Sequence, residues 1–470
     1  MHSNSCRQPA YSGVASQWLR HALVLGCGLG LAACAGPLAI AVNRPLSAPP
    51  VERSAPASGD GTAIVLAFSG GGARSAAFGY GVLSELAERR SGQPGRSLAD
   101  EVVLVSGVSG GAILAAYVAL HGPQRLADFR RDFLERDVEA ALHTSFTPAN
   151  LLRAYQGGVN DLTGLPAWLD AHLYGGATFA DLGGPRRPRL LVHATDLYNR
   201  APFIFDRRSF AALCSDVDRF PLSHAVAASA AVPVVFAPVV LRNYSHACPV
   251  ARPASGDDAA GEGGSLVERD YRAALGRYRS EPDLSFLKLY DGGLVDGLGT
   301  QSLVHRMHRA PPAPLTAAEA LRLDRIVFIV ADASTRIGGD MSRTEAPPNA
   351  VDAIVGAADA MIDATSRHGV DALRREARAW RDRLVRWRCA RADATPACSR
   401  LTVEVIRVAL ADIADRSLRR RILGLHNRLS LGRDDVTLIA GLGRRLLAGD
   451  PTFHRLFGGH PRGGARLAAR

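Results

Sequence analysis

Aromatic residues are scarce, 6% of 470 positions, and no aromatic-basic run of the kind that stacks on single-stranded nucleic acid is present. Helix-turn-helix patterns and zinc-finger spacings are missing too, so nucleic acid is not an expected partner despite a net charge of +11. The seven cysteines show no Cys-x-x-Cys or Cys/His spacing of a metal or redox centre; neither a metal nor another cofactor is expected. There is no internal repeat, and the most apolar stretch is too short to cross a bilayer comfortably. What is present is an ordinary globular composition, 47% hydrophobic and 21% charged, in a chain long enough for one large α/β domain or two smaller ones. The cationic excess has two readings: coding composition that favours Arg, or attraction to an anionic membrane surface.

The N-terminal region reads as an export signal. Residues 22–36 form a short apolar stretch preceded by Arg7, Arg20 and His21 and followed by Pro37, the order of a signal peptide rather than of a folded element. Within it, Leu31-Ala32-Ala33-Cys34 resembles the bacterial lipobox. That resemblance implies cleavage before Cys34, diacylglycerol on its thiol and an acyl chain such as palmitate on its new amine; several chains together hold a protein on a membrane more firmly than one. Ala35 at the next position resembles lipoproteins sent on to the outer membrane. The expected location is therefore the bacterial cell envelope, lipid-anchored on the periplasmic face of the outer membrane. In that oxidising compartment Cys214, Cys248, Cys389 and Cys398 allow three pairings, or remain four buried thiols. Proximity in sequence favours Cys389 with Cys398, which leaves Cys214 and Cys248 to each other.

Residues 34–61, rich in Pro, Ser, Ala and Gly, read as a flexible linker. The folded domain is expected over 62–449, with an inserted loop at about 249–283, a helical segment at about 351–388 and a loose basic tail at 450–470. Thr62 to Phe68 has the length and apolar composition of a buried strand, Ser69 to Gly72 is a turn, and Ala73 to Ala87 reads as a helix. Glu101 to Val105, Ser106 to Gly111 and Ala112 to Leu120 repeat that order. Strand, glycine turn and helix twice over mark an α/β fold with a parallel sheet covered by helices.

The chemistry-bearing residues lie in those turns. Gly107-Val108-Ser109-Gly110-Gly111 is a Gly-x-Ser-x-Gly between a buried strand and a helix. Its glycines permit a sharp turn that lifts the Ser109 hydroxyl above the sheet, with the helix N-terminus beside it. Ser69-Gly70-Gly71-Gly72-Ala73-Arg74 points backbone N–H groups at the same region, as an oxyanion hole requires. It has neither the Gly-Lys-Ser/Thr of a P-loop nor the Gly-x-Gly-x-x-Gly of a dinucleotide site. Arg74 would orient this turn or steady an anion. Asp291, in Tyr290-Asp291-Gly292-Gly293, ends another strand, where it is either a turn former or a base.

Together, Ser69 to Arg74, Gly107 to Gly111 and Asp291-Gly292-Gly293 resemble the three signature blocks of the patatin-like phospholipases. The segments His193 to Leu197, Pro202 to Phe205, Ala227 to Pro233 and Leu429 to Leu447 are also similar, so the resemblance covers nearly all of 62–449. It implies a three-layer α/β/α hydrolase with a mainly parallel central sheet and a Ser–Asp dyad: Ser109 as nucleophile, Asp291 as general base, and Gly70, Gly71 and Gly72 lining the oxyanion hole. The implied substrate is a phospholipid or another acyl-ester lipid, cleaved through an acyl-enzyme. One departure stands out. Asp296-Gly297-Leu298-Gly299 replaces the family's Asp-Asn-x-Pro turn, and altered loop rigidity is expected. Alternatives from the residues alone are an esterase or thioesterase for small acyl substrates, a Ser-His-Asp site using a histidine such as His193 or His224, and a non-catalytic lipid-binding or envelope-assembly lipoprotein.

Overall fold

Three of the strands are apolar almost throughout, which demands cover on both faces. They are β1 (Thr62–Phe68) and β2 (Val102–Val108), buried at every position, and β7 (Arg325–Asp332), buried at all but its first. The computed structural model describes residues 41–47, 61–143, 147–155, 157–184, 186–248, 266–334, 345–348, 350–391, 395–425 and 427–458. Cys34, the linker stretch 48–60, residues 249–265 of the insertion and residues 459–470 of the tail lie outside the described residues.

The central sheet runs β5-β6-β3-β2-β1-β7-β8, with β4 paired to β3. Here β3 is Arg189–Asp196, β4 Ala201–Ile204, β5 Val239–Arg242, β6 Phe286–Asp291 and β8 Thr402–Ala409. Pairs β1/β2, β1/β7, β2/β3 and β7/β8 are parallel. On the β5 side the sheet turns antiparallel, through β3/β4, β3/β6 and β5/β6. One helical layer contains α1 (Gly72–Glu88), α2 (Gly110–His121), α3 (Leu222–Ser229) and α8 (Arg433–Ala448). The other contains α5 (Gly293–Asp296), α6 (Gln301–Met307) and the 40-residue α7 (Ala350–Cys389). The fold is the three-layer α/β/α hydrolase with a largely parallel sheet. In α7, Leu373, Ala377, Trp380 and Leu384 are buried at helical spacing, so one stripe of the helix faces the core. The insertion contributes a further helix, α4 (Leu266–Ser280).

The near end of the expected linker is part of the folded body. Val42 N–H donates to Val240 O at 3.2 Å and Leu46 N–H to Cys214 O at 2.9 Å. Asn43 is buried; its Nδ2 donates to Arg242 O and Ser215 Oγ, and Arg242 N–H donates back to its Oδ1 at 2.7 Å. Residues 41–47 thus cover the sheet edge at β5, where unpaired backbone groups would otherwise be exposed. Residues 41–47, expected as linker, are thus bonded to the folded body. Cys214 is bonded to Cys248, and Cys389 to Cys398, with Cα separations of 5.6 and 5.2 Å.

Candidate active site

Parallel strands β1, β2 and β3 all end at the same edge, and the glycine turns leave from there. Ser109 follows β2 at once and has φ 52° and ψ −123°, a left-handed conformation that costs a non-glycine residue about 1–3 kcal/mol. The neighbouring glycines make room for it. A Cβ on Gly110 would fall on the carbonyl oxygen of Gly72, and one on Gly72, itself at φ +59°, would fall on that of Arg428. Gly107 and Gly111 pack as closely, against the Gly111-Ala112 backbone and the Phe68-Ser69 carbonyls respectively.

Asp291 reaches the same place from the other direction. β2 pairs Val108 with His193 of β3, and β3 pairs Ala194 with Asp291 of the antiparallel β6. The carboxylate strand thus lies two strands from Ser109, one residue further along, and Asp291 is buried. Gly293 N–H donates to Asp291 Oδ1 at 2.7 Å and Thr195 Oγ1–H to Asp291 O at 2.8 Å. Together these fix the carboxyl plane and the main chain that carries it. Ser229, the last residue of α3, joins the two turns: Ser109 N–H donates to its Oγ at 2.8 Å and Gly292 N–H to its carbonyl at 3.2 Å. The sequence contains Ser229 within Ala227 to Pro233 but gives no sign of this role, because the contact spans 120 residues.

The glycine loop is only partly as expected. Gly70 N–H donates to Gly297 O at 3.0 Å, so Gly70 spends its amide on the turn after Asp291 and is not an oxyanion donor. Ala73 N–H is likewise bound, to Arg428 O. The first amides of a helix have no partner within it, which leaves Gly71 and Gly72 at the start of α1, and Gly110 at the start of α2, as candidate donors. Arg74 does not steady an external anion. It is buried and donates to Ala333 O, Leu425 O and Asn427 Oδ1, tying the end of β7 and the start of α1 to Leu425 and Asn427.

The departure from the family pattern has a clear structural setting. Asp296 Oδ1 and Oδ2 accept from Thr300 and Gln301 N–H and so cap α6, although burial pushes this carboxyl above its ordinary range. Gly297 lies against Ile362 and Ser366 of α7. The turn is held by its own carbonyl bond to Gly70 and by packing on α7 rather than by a proline.

Neither named histidine serves Ser109. His193 is buried under the site with Nε2 2.7 Å from Ser106 Oγ and 3.2 Å from Ser302 Oγ. Ser106 Oγ–H donates to Gly299 O, so its oxygen is left to accept from His193 Nε2–H. Nδ1 is then the bare nitrogen, 3.8 Å from Asp296 Oδ2 and without a hydrogen bond. Burial, with Arg306 and His305 adding to it, lowers the His193 pKa to about 3. His224 lies edge-on to Phe220, and burial lowers its pKa as well. Among the described residues no group of three or more His, Cys, Asp or Glu side chains could hold a metal ion.

A serine on a strained strand-to-helix turn and a buried carboxylate on an antiparallel strand two places away in the sheet lie within a three-layer α/β/α hydrolase fold. The model of the patatin-like phospholipase family matches residues 66–304, half of the chain, and the chain belongs to that family. No curated protein matches it. Among solved structures, human GIVD cytosolic phospholipase A2 aligns at 15% identity over 58% of this chain and 46% of its own, with a TM-score of 0.30. In complex with methyl gamma-linolenyl fluorophosphonate, the figures are 14% identity, 85% and 59% coverage, and a TM-score of 0.36. The ExoU-SpcU complex of the Pseudomonas aeruginosa type III secretion system aligns at 16% identity over 91% and 86%, with a TM-score of 0.21. The chain spans about half the length of the human enzyme.

Proposed function

We propose that the protein is a lipid acyl hydrolase of the phospholipase A type, using a Ser109–Asp291 dyad. The observation that carries this reading is the pair of bonds to Ser229, which links strained Ser109 to the loop that carries Asp291. Asp291 takes the Ser109 hydroxyl proton as Oγ attacks the ester carbonyl. The oxyanion forms against the amides of Gly71, Gly72 and Gly110, at the positive ends of α1 and α2. Collapse of the tetrahedral species breaks the ester C–O bond. The leaving alkoxide takes the proton from Asp291 and departs as an alcohol, and Ser109 holds the acyl group. Water, deprotonated by Asp291, then attacks the acyl carbonyl; collapse of this second tetrahedral species breaks the bond to Ser109 Oγ, which takes the proton back from Asp291, and the fatty acid leaves. In this reading Cys34 is lipidated after removal of residues 1–33, which places the enzyme on the periplasmic face of a bacterial outer membrane with a phospholipid or related acyl-ester lipid as substrate.

The test is fatty-acid release from mixed phospholipid micelles by wild type, Ser109→Ala and Asp291→Asn. Loss of release in both variants, each still folded, supports the dyad. Release that survives either substitution overturns it. Incorporation of labelled palmitate into wild type but not Cys34→Ala checks the anchor.

A further inference from the structure

The antiparallel wing of the sheet rises past Ser109. β3 continues three residues beyond the Val108–His193 pair, to Asp196, about 10 Å at strand rise. β6 begins and β5 ends at that raised end, where Phe286 faces Arg242. Large apolar side chains are exposed there: Leu197 at 52% and Tyr198 at 62% in the turn after β3, and Phe286 at 45%. Along β6, Phe286 and Lys288 point outward while Leu287 and Leu289 are buried. Arg200, Arg242 and Lys288, the chain's one lysine, are exposed around them. Acidic neighbours are fewer: Asp283 is exposed, and Glu281 accepts a hydrogen bond from Tyr198 Oη–H.

We infer that this wing, built on Leu197, Tyr198 and Phe286 with Arg200, Arg242 and Lys288, is the surface by which the protein seats on an anionic phospholipid bilayer. Apolar side chains ringed by cations suit the boundary between acyl chains and anionic headgroups. The covalent chain points the same way. Val42 is bonded to Val240 at the outer edge of the wing. Only six residues separate Ala41 from Cys34, seven Cα–Cα steps, so a lipid on that thiol holds the bilayer within about 25 Å of the wing. Docking there faces the strand end that carries Ser109 toward the lipid. The inference rests on reading the site as one for lipid esters, but its test is positional and does not need turnover.

Full-length protein carrying Phe286→Trp is mixed with phosphatidylglycerol vesicles whose acyl chains are brominated, beside a control carrying Leu321→Trp. Leu321 is 40% exposed in the short helix Ala317–Arg322 just before β7, at the opposite end of the strands. Wild-type protein gives the background from the native tryptophans. Bromine quenching above that background in the Phe286→Trp protein, with none added in the Leu321→Trp protein, supports the inference. Equal added quenching in the two variants, added quenching in Leu321→Trp alone, or none in either overturns it. In the same assay Arg242→Glu with Lys288→Glu weakens vesicle binding roughly fivefold per charge and leaves hydrolysis of a soluble short-chain ester unchanged. Loss of that hydrolysis in Ser109→Ala tests the dyad separately.

Discussion

Replacing Ser229 by alanine removes one atom from the point where the two candidate catalytic turns meet. Its hydroxyl accepts from Ser109 N–H, whereas its carbonyl bond to Gly292 is main chain and survives the substitution. Ser109 and Ser229 are both buried, so the Ser109 amide is left without its acceptor. An orphaned buried donor costs about 1–3 kcal/mol. The Ser109 backbone also holds a conformation that costs a similar amount, and the lost bond is one of those opposing its relaxation. The expected result is a fall in unfolding free energy of about 1–3 kcal/mol by urea titration, together with a fall in kcat on a soluble ester of about tenfold or more. Ser223→Ala is the control. Ser223 is buried on the same helix, but its hydroxyl donates to Asp170, away from both turns. It should lose comparable stability and keep its kcat. Wild-type kcat in Ser229→Ala, or equal losses of kcat in the two variants, would refute a positioning role for Ser229.

A His193→Gln substitution should flatten the acid side of the stability profile. With a folded pKa near 3 against about 6.5 unfolded, the unfolded chain binds the proton first as pH falls. The stability this group provides is therefore complete above about pH 6.5 and is lost progressively toward pH 3. By pH 4.5 the loss is about 2.5 kcal/mol, read as the difference between wild-type and variant urea midpoints; Asp296, with its raised pKa, contributes the opposite slope in both proteins. Gly110→Ala should cost about 3 kcal/mol or more, because the new methyl meets a backbone carbonyl that cannot swing aside; wild-type thermal stability would contradict the packing described. Replacing both Cys214 and Cys248 by serine should cost about 4 kcal/mol, against about 2.5 for Cys389 with Cys398, since the first pair closes 34 residues and the second nine. The reverse order in denaturant midpoints would contradict the loop-length argument.

What local pattern controls was legible in the sequence. Thr62–Phe68 is a strand at the expected residues, because a seven-residue run that is apolar after its first residue, between turns, has little other use. Helix α1 begins at the third glycine of its loop, one residue before the expected start. Ser109 lies between a strand and a helix for the same local reasons. Not legible were the features set by partners far along the chain. Gly70 looks like its two neighbours, yet its amide is taken by Gly297. Arg74 looks like an anion ligand, yet its buried guanidinium is held by acceptors from distant segments. The strap at 41–47 was the hardest to read, and the reason lies in its chemistry. It contains Pro45, which has no N–H and argues against an ordinary strand. Asn43 resolves the conflict by pairing its side-chain amide with both the N–H and the C=O of Arg242, as a peptide group would. Val42 and Leu46 supply main-chain donors on either side. A segment that pairs through a side chain needs no apolar alternation, so composition alone reads it as linker, and only the position of its acceptors shows that it closes the sheet.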